Sequence, residues 1–170
     1  MRHFIFLAAM AGVMAFSGCT AQTAAKAPDM DKCFSVQAQL RLGKETVKAE
    51  ISRRGGYMWE MAVTEPFALE GLIITADKEN TTLSMCGFES GGDVTDEAVS
   101  VLRLIMDAYE STAEGECSFS ENIFSGTNEN GSYSLSISDG KPDVMELGGK
   151  GVMVQFGEWT ELEGEEMIVY

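Results

Sequence analysis

Histidine is almost missing from this chain: among 170 residues the only one is His3. A mature protein that has lost its opening segment would therefore carry no imidazole at all. Such a chain cannot assemble a Ser-His-Asp or Cys-His relay and cannot offer imidazole to zinc, which disfavours the common hydrolases. Basic residues are also scarce, with 12 Lys and Arg against 27 Asp and Glu and a formal net charge of −15. Phosphate backbones are held by clustered Lys and Arg, and no such cluster stands anywhere in the sequence, so nucleic acid is not an expected partner. Long apolar runs are missing too. The clearest, Phe4 to Phe16, falls short of the roughly 20 residues that span a bilayer.

That run is what the chain does have. A positive start at Arg2, an uncharged core and the small residues Ser17-Gly18 before Cys19 compose a secretory signal covering residues 1–18, whose removal leaves Cys19 first. Phe16-Ser17-Gly18-Cys19 resembles the lipobox of bacterial lipoproteins. The resemblance implies a diacylglyceryl group on the Cys19 thiol, acylation such as palmitate on its new amino terminus, and a place on the extracytoplasmic side of a cell membrane. Two or three acyl chains anchor durably, where a single one binds marginally. Loss of Arg2 leaves 11 basic against 27 acidic residues, a mature charge of −16, so an anionic bilayer repels the domain that the lipid holds near it.

Residues 19–32 then read as the lipidated cysteine and a flexible tether, Ala, Thr, Gln, Lys, Pro and Asp without an apolar period. Residues 33–170 are long enough for one domain with one core. Phe34, Val36, Ala38, Leu40 and Leu42 alternate with polar residues, as do Val47, Ala49 and Ile51, then Tyr57, Trp59, Met61 and Val63. With turns at Gly43-Lys44 and Arg54-Gly55-Gly56, these are three strands of an antiparallel meander. Glu65-Pro66 breaks the pattern. Leu72–Ala76 and Thr81–Gly87 are two further strands. Ala98, Val101, Leu102, Ile105, Met106 and Tyr109 recur at helical spacing, which predicts an amphipathic helix over about residues 95–111 with Thr95 as N-cap and Gly115 beyond its end. Cys117–Phe124, Tyr133–Ile137, Val144–Leu147 and Val152–Phe156 are strands, with turns around 126–131 and 139–142, and Met167–Tyr170 adds an edge strand.

About nine alternating strands with one inserted helix exclude a parallel α/β fold, which needs a helix between each pair of strands. The expected class is mainly β (α+β), a single curved antiparallel sheet wrapped around one amphipathic helix. From Cys33 to Trp159 the order of elements resembles the LolA and LolB superfamily of lipoprotein carriers. The resemblance rests on the alternating first strands, the Glu65-Pro66 bend with Gly71 soon after, the inserted helix and the segment Val154-Gln155-Phe156-Gly157-Glu158-Trp159. It implies a half-barrel that binds or chaperones a lipid or lipopeptide and is not an enzyme. The family usually begins with a helix, whereas here the tether leads directly into a strand.

Read this way, Trp59, Met61, Met85, Leu102, Ile105, Met106 and Met153 are the expected lining of an apolar cavity between sheet and helix, since flexible thioethers adapt to irregular apolar shapes. The same residues also suit an ordinary filled core. The alternative function is then a cell-envelope interaction or scaffold lipoprotein without a small-molecule ligand, its protein partner unnamed. Cys33, Cys86 and Cys117 allow either one disulfide and a thiol or three packed thiols. Glu158, Glu161, Glu163, Glu165 and Glu166 match no calcium loop and read as a solvated acidic edge, so no metal, cofactor or catalytic residue is assigned.

Replacing Cys19 by Ser is expected to move the protein out of the detergent-rich fraction and to abolish the mass added by acyl chains, read by phase partitioning and intact mass. Retention of the Cys19→Ser protein in washed membranes would refute lipid anchoring at this residue.

Overall fold

The computed structural model describes residues 27–91 and 97–162. The signal segment, Cys19, Thr95 and Met167–Tyr170 lie outside them. The alternation seen in the sequence becomes β1 (Phe34–Leu42), β2 (Glu45–Arg53), β3 (Trp59–Glu65), β4 (Leu72–Ala76), β5 (Thr81–Met85) and β6 (Phe88–Gly91). After helix α1 (Glu97–Ala113) come β7 (Cys117–Ser120), β8 (Ile123–Asn128), β9 (Gly131–Ser138), β10 (Lys141–Leu147) and β11 (Val152–Glu161).

All eleven strands form one antiparallel sheet in the order β6-β5-β4-β3-β2-β1-β11-β10-β9-β8-β7. Two meanders are thus joined by the pairing of β1 with β11, in which Val36 lies opposite Trp159 and Ala38 opposite Phe156. The sheet is open, and its two edges, β6 and β7, are consecutive in the chain on either side of α1. That helix packs against β3, β4 and β5 on one side and β8 and β10 on the other. In a flat sheet β5 and β8 would stand eight strand spacings apart, roughly 38 Å. The 17-residue helix is only about 25 Å long. The sheet therefore curves around it, helped by irregularities at Val36/Ala38, Lys48/Ala49 and Pro142/Met145, since bulges bend a strand and sharpen its twist.

The core lies on the concave side. Phe34, Val36, Ala38 and Leu40 of β1, Ala49 and Ile51 of β2, and Val152, Val154 and Phe156 of β11 alternate inward onto Leu102, Ile105 and Met106, which are fully buried. Gly115 ends the helix in the left-handed region, at φ +80°. There the Gly115 N–H donates to the Thr112 carbonyl (3.1 Å) and the Glu116 N–H to that of Ser111 (2.9 Å), the paired closure that glycine at this position permits.

Several expectations change. The run Thr81–Gly87 ends early, at Met85, because Cys86 and Gly87 both adopt positive φ (52° and 81°), turning the chain into β6. Cys117–Phe124 divides likewise at Glu121-Asn122 (53° and 62°), and much of the supposed turn at 126–131 is the end of β8. The helix consequently follows the sixth strand, not the fifth. Residues 30–32, which the sequence assigns to the tether, are part of the domain: Met30 is buried in the core, and Asp31 and Lys32 are bonded to it.

Gly126 pairs with Tyr133 across β8 and β9, and the Tyr133 ring fills the space a Cβ at Gly126 would need. Gly126→Ala is therefore expected to lower stability by about 1–3 kcal/mol, the usual cost of overpacking, measured as a shift in the urea midpoint. An unchanged midpoint would show that Tyr133 can move aside.

Candidate functional site

The period-two pattern of β2 continues past Ile51 to Arg53, so the strand carries a guanidinium onto the same face as Val47, Ala49 and Ile51. Arg53 is 1% exposed. Glu110 of α1 meets it from above, two helical turns beyond Leu102 and one beyond Met106 on the same stripe, and is 2% exposed. Arg53 Nε donates to Glu110 Oε1 (2.8 Å) and Nη2 to Oε2 (2.9 Å), a forked pair. Trp59 Nε1 is the third donor to the carboxylate, reaching Glu110 Oε1 at 2.7 Å. The remaining reach of the guanidinium goes to the segment before β1: Nη2 to Asp31 Oδ1 (2.9 Å) and Nη1 to the Lys32 carbonyl (3.0 Å).

Rings enclose this group. Trp59 lies edge-on to Phe34 (5.6 Å) and Tyr109 (5.2 Å), Trp159 closes on Phe34 (4.4 Å), and the Arg53 guanidinium sits 5.8 Å from the Tyr109 ring centre. Burial works against the Arg53 charge, but hydrogen bonds to Glu110 and Asp31 outweigh it and hold its pKa above the ordinary arginine value. Burial likewise raises Tyr109. Tyr57, beside the same end of the helix, is pushed up to about 12 by burial and by its hydrogen bond to Glu114. Bonded to one another and closed off from water, Arg53 and Glu110 present no accessible group to a substrate.

A second clamp holds the helix farther from this end. Arg103 donates to the carbonyls of Asp77 (3.1 Å) and Lys78 (2.6 Å), and Asn130 donates to Asp107 Oδ2 (2.8 Å). Burial raises the Asp107 pKa, whereas the N–H groups of Asn80 and Glu79 lower that of Asp77.

Of the residues expected to line a cavity, Trp59, Met61, Leu102, Ile105 and Met106 come together, each 3% exposed or less. They do so as packed core. A hollow at the helix flank between Leu104, Tyr133 and Leu147 holds about 10 Å³, no more than one water fills. Met85 is half-buried against the core at its β4–β5 side. Met153 is not with them: it alternates with the buried Val152 and Val154, so it faces outward, its Sδ 3.6 Å from Arg41 Nη2. A roomier hollow of about 340 Å³, lined by Arg54, Met58, Trp59, Glu60, Ala76 and Asp77 among others, is open to solvent, and more of its lining is apolar than polar.

Apolar surface is exposed elsewhere. Phe88 opposes Met85, and directly paired residues share a face, so Phe88 stands on the concave side at the β6 edge, 81% exposed. At the same end of the sheet, the connection from β3 to β4 carries Phe67, 87% exposed, and Leu69. Exposed Glu65, Glu70 and Glu89 flank this wing. Among the described residues, Cys33, Cys86 and Cys117 are free thiols, Cys86 exposed at the tip of the wing and the other two partly buried. Among the described residues no three Asp, Glu or Cys side chains gather as metal ligands.

Arg53 and Glu110 escaped the sequence reading, although strand parity from Val47 and helical spacing from Leu102 both mark them. Glu110→Ala is expected to cost about 3–5 kcal/mol in urea unfolding, because it leaves a buried cation unpaired, while Arg53→Met with Glu110→Leu recovers most of the loss. A small effect of Glu110→Ala would mean that water reaches Arg53.

No protein-family model matches the chain, and neither does any curated protein. Among solved structures, an uncharacterized conserved protein from Thermus thermophilus aligns with a TM-score of 0.46 and 12% identity, covering 79% of this chain and 81% of that one. A LolA superfamily protein from Nitrosomonas europaea aligns with a TM-score of 0.41 and 9% identity, over 79% of this chain and 87% of the other.

Proposed function

We propose that the mature chain is a lipid-anchored extracytoplasmic binding protein, LolA-like in form, that holds the apolar part of a lipid or lipopeptide on the wing at the β4–β6 edge and performs no chemistry of its own. The observation that carries this reading is the pair of exposed phenylalanines, Phe67 at 87% and Phe88 at 81%, at one end of the sheet, where Phe88 opposes Met85 and Met85 packs against the core. Covering a phenylalanine side chain from water is worth about 1.5–3 kcal/mol. An occupant that covers both gains from each. The glutamates around them disfavour an anionic headgroup and suit a neutral or cationic one.

The site differs from the one the sequence suggested. The interior beneath α1 is filled by Leu102, Ile105 and Met106, so the ligand is placed beside the helix and not under it. The same filled interior favours a second reading, an envelope interaction module whose wing meets a protein surface.

The test is titration of the mature protein carrying Cys19→Ser with a fluorescent palmitoyl tetrapeptide of neutral or lysine-containing sequence. Saturable 1:1 binding is expected, weakened about tenfold or more by Phe88→Ser or Phe67→Ser, in line with the loss of one buried ring. No saturable binding by the parent would leave the interaction reading. Binding indifferent to both substitutions would place the ligand elsewhere.

A further inference from the structure

The segment that leads to the membrane anchor and the helix that fills the sheet share one guanidinium. Of the hydrogen bonds Arg53 makes, two go to Glu110 of α1 and two to residues 31 and 32. The segment is docked by more than this. Met30 is 5% exposed within the core, Asp29 Oδ1 accepts the Asp31 N–H (3.1 Å), Lys32 Nζ lies 3.0 Å from Glu161 Oε1, and the Cys33 carbonyl accepts the Leu162 N–H (3.1 Å).

We infer that residues 29–32 form a strap through which tension on the preceding chain is passed to α1; that a membrane anchor supplies this tension rests on the lipid anchoring proposed above. With the strap docked, the guanidinium is held from two sides and its planar fork fits the Glu110 carboxylate. With the strap withdrawn, Nη1 loses the Lys32 carbonyl and Nη2 loses Asp31, and the guanidinium, 1% exposed while the strap covers it, opens to water. The fork then relaxes toward water, and the C-terminal half of the helix loosens with it. The strap is the weaker side of this arrangement, because the Asp31 side chain is 79% exposed whereas that of Glu110 is 3% exposed. Opening therefore begins at the strap, the more solvated of the two sides of Arg53. The second clamp, Arg103 on the Asp77 and Lys78 carbonyls, involves no strap residue, so the two ends of the helix respond differently.

This inference does not depend on what the wing binds, and its test needs no ligand. Amide hydrogen exchange is followed by mass spectrometry on the full chain as the cell produces it, in neutral detergent. In Asp31→Asn and in Met30→Ser, exchange over residues 105–113 is expected to quicken about tenfold, while β9 and β10 keep their parent rates. Glu110→Gln alone is expected to speed the same residues, and Asp31→Asn added to it to give little more, because both act through Arg53. Unchanged helix exchange in the strap variants would overturn the coupling. So would an equal acceleration throughout the sheet, which would mark a general loss of stability, or full additivity with Glu110→Gln.

Discussion

A chain that leaves a sheet at one edge strand and must re-enter it at the opposite edge has few routes. Here β6 and β7 are the two edges of an eleven-stranded sheet and are joined by α1. Such a connection has to cross a face, and in crossing it must bury its own apolar side chains or expose them. The stripe from Val101 to Tyr109 turns that requirement into a core. Curvature follows from the same constraint, because a helix of 17 residues touches strands on both wings only if the wings bend toward it. The pairing of β1 with β11 then needs no special explanation. It is the seam left when two meanders are each wound outward to an edge.

Apolar burial alone would let the helix slide or rotate within this trough, since dispersion contacts are individually weak and tolerant of position. The Arg53–Glu110 fork removes that freedom. Desolvating two charges offsets much of their attraction, so the pair contributes little net stability compared with apolar residues of the same shape. Its effect is on register. Only one rotation of α1 brings Glu110 within reach of both Arg53 and the Trp59 indole N–H, and any other leaves a buried charge unmatched. Specific placement of the helix and the high cost of removing one partner are two consequences of a single low-dielectric site.

Where a side chain's position follows from period, the sequence could be read directly. Phe34 to Leu40 and Val152 to Phe156 alternate as expected because one sheet face is dry and the other wet. The helix limits were found within a few residues for the same reason, helped by Gly115. What escaped was of two kinds. Glu121-Asn122 and Cys86 turn the chain in left-handed conformations that glycine would have announced and these residues do not. Arg53 and Glu110 obey the apolar period while carrying charge, so a reading that sorts residues by polarity places them outside although geometry places them inside. Met153 shows the converse: a thioether suggested the interior, but its odd place between Val152 and Val154 puts it on the outer face. For the candidate site, the wing was half visible. Phe88 stands out in the sequence only as an aromatic near a glycine, and the register of β5 with β6 decides that it faces inward yet uncovered.

The geometry of anchoring bears on that wing. Arg53 pairs with Trp59 at the start of β3, and Glu65 at its far end leads into the connection bearing Phe67. The length of β3, roughly 20 Å at 3.3 Å per residue, therefore separates the docked strap from the exposed phenylalanines. If the chain is anchored at Cys19, as proposed above, at most about 36 Å of fully extended chain separates that anchor from the docked residues near Asp29. On that proposal, a domain of charge −16 after removal of residues 1–18 would be pushed from an anionic surface while its root is held close to it. The root end would then face the bilayer and the wing would face away. Phe67 and Phe88 would be presented to whatever arrives from the aqueous side, and the glutamates around them would oppose their burial in an anionic membrane. Exposed rings at this position make physical sense for receiving a ligand or partner from solution and little sense as a second membrane anchor.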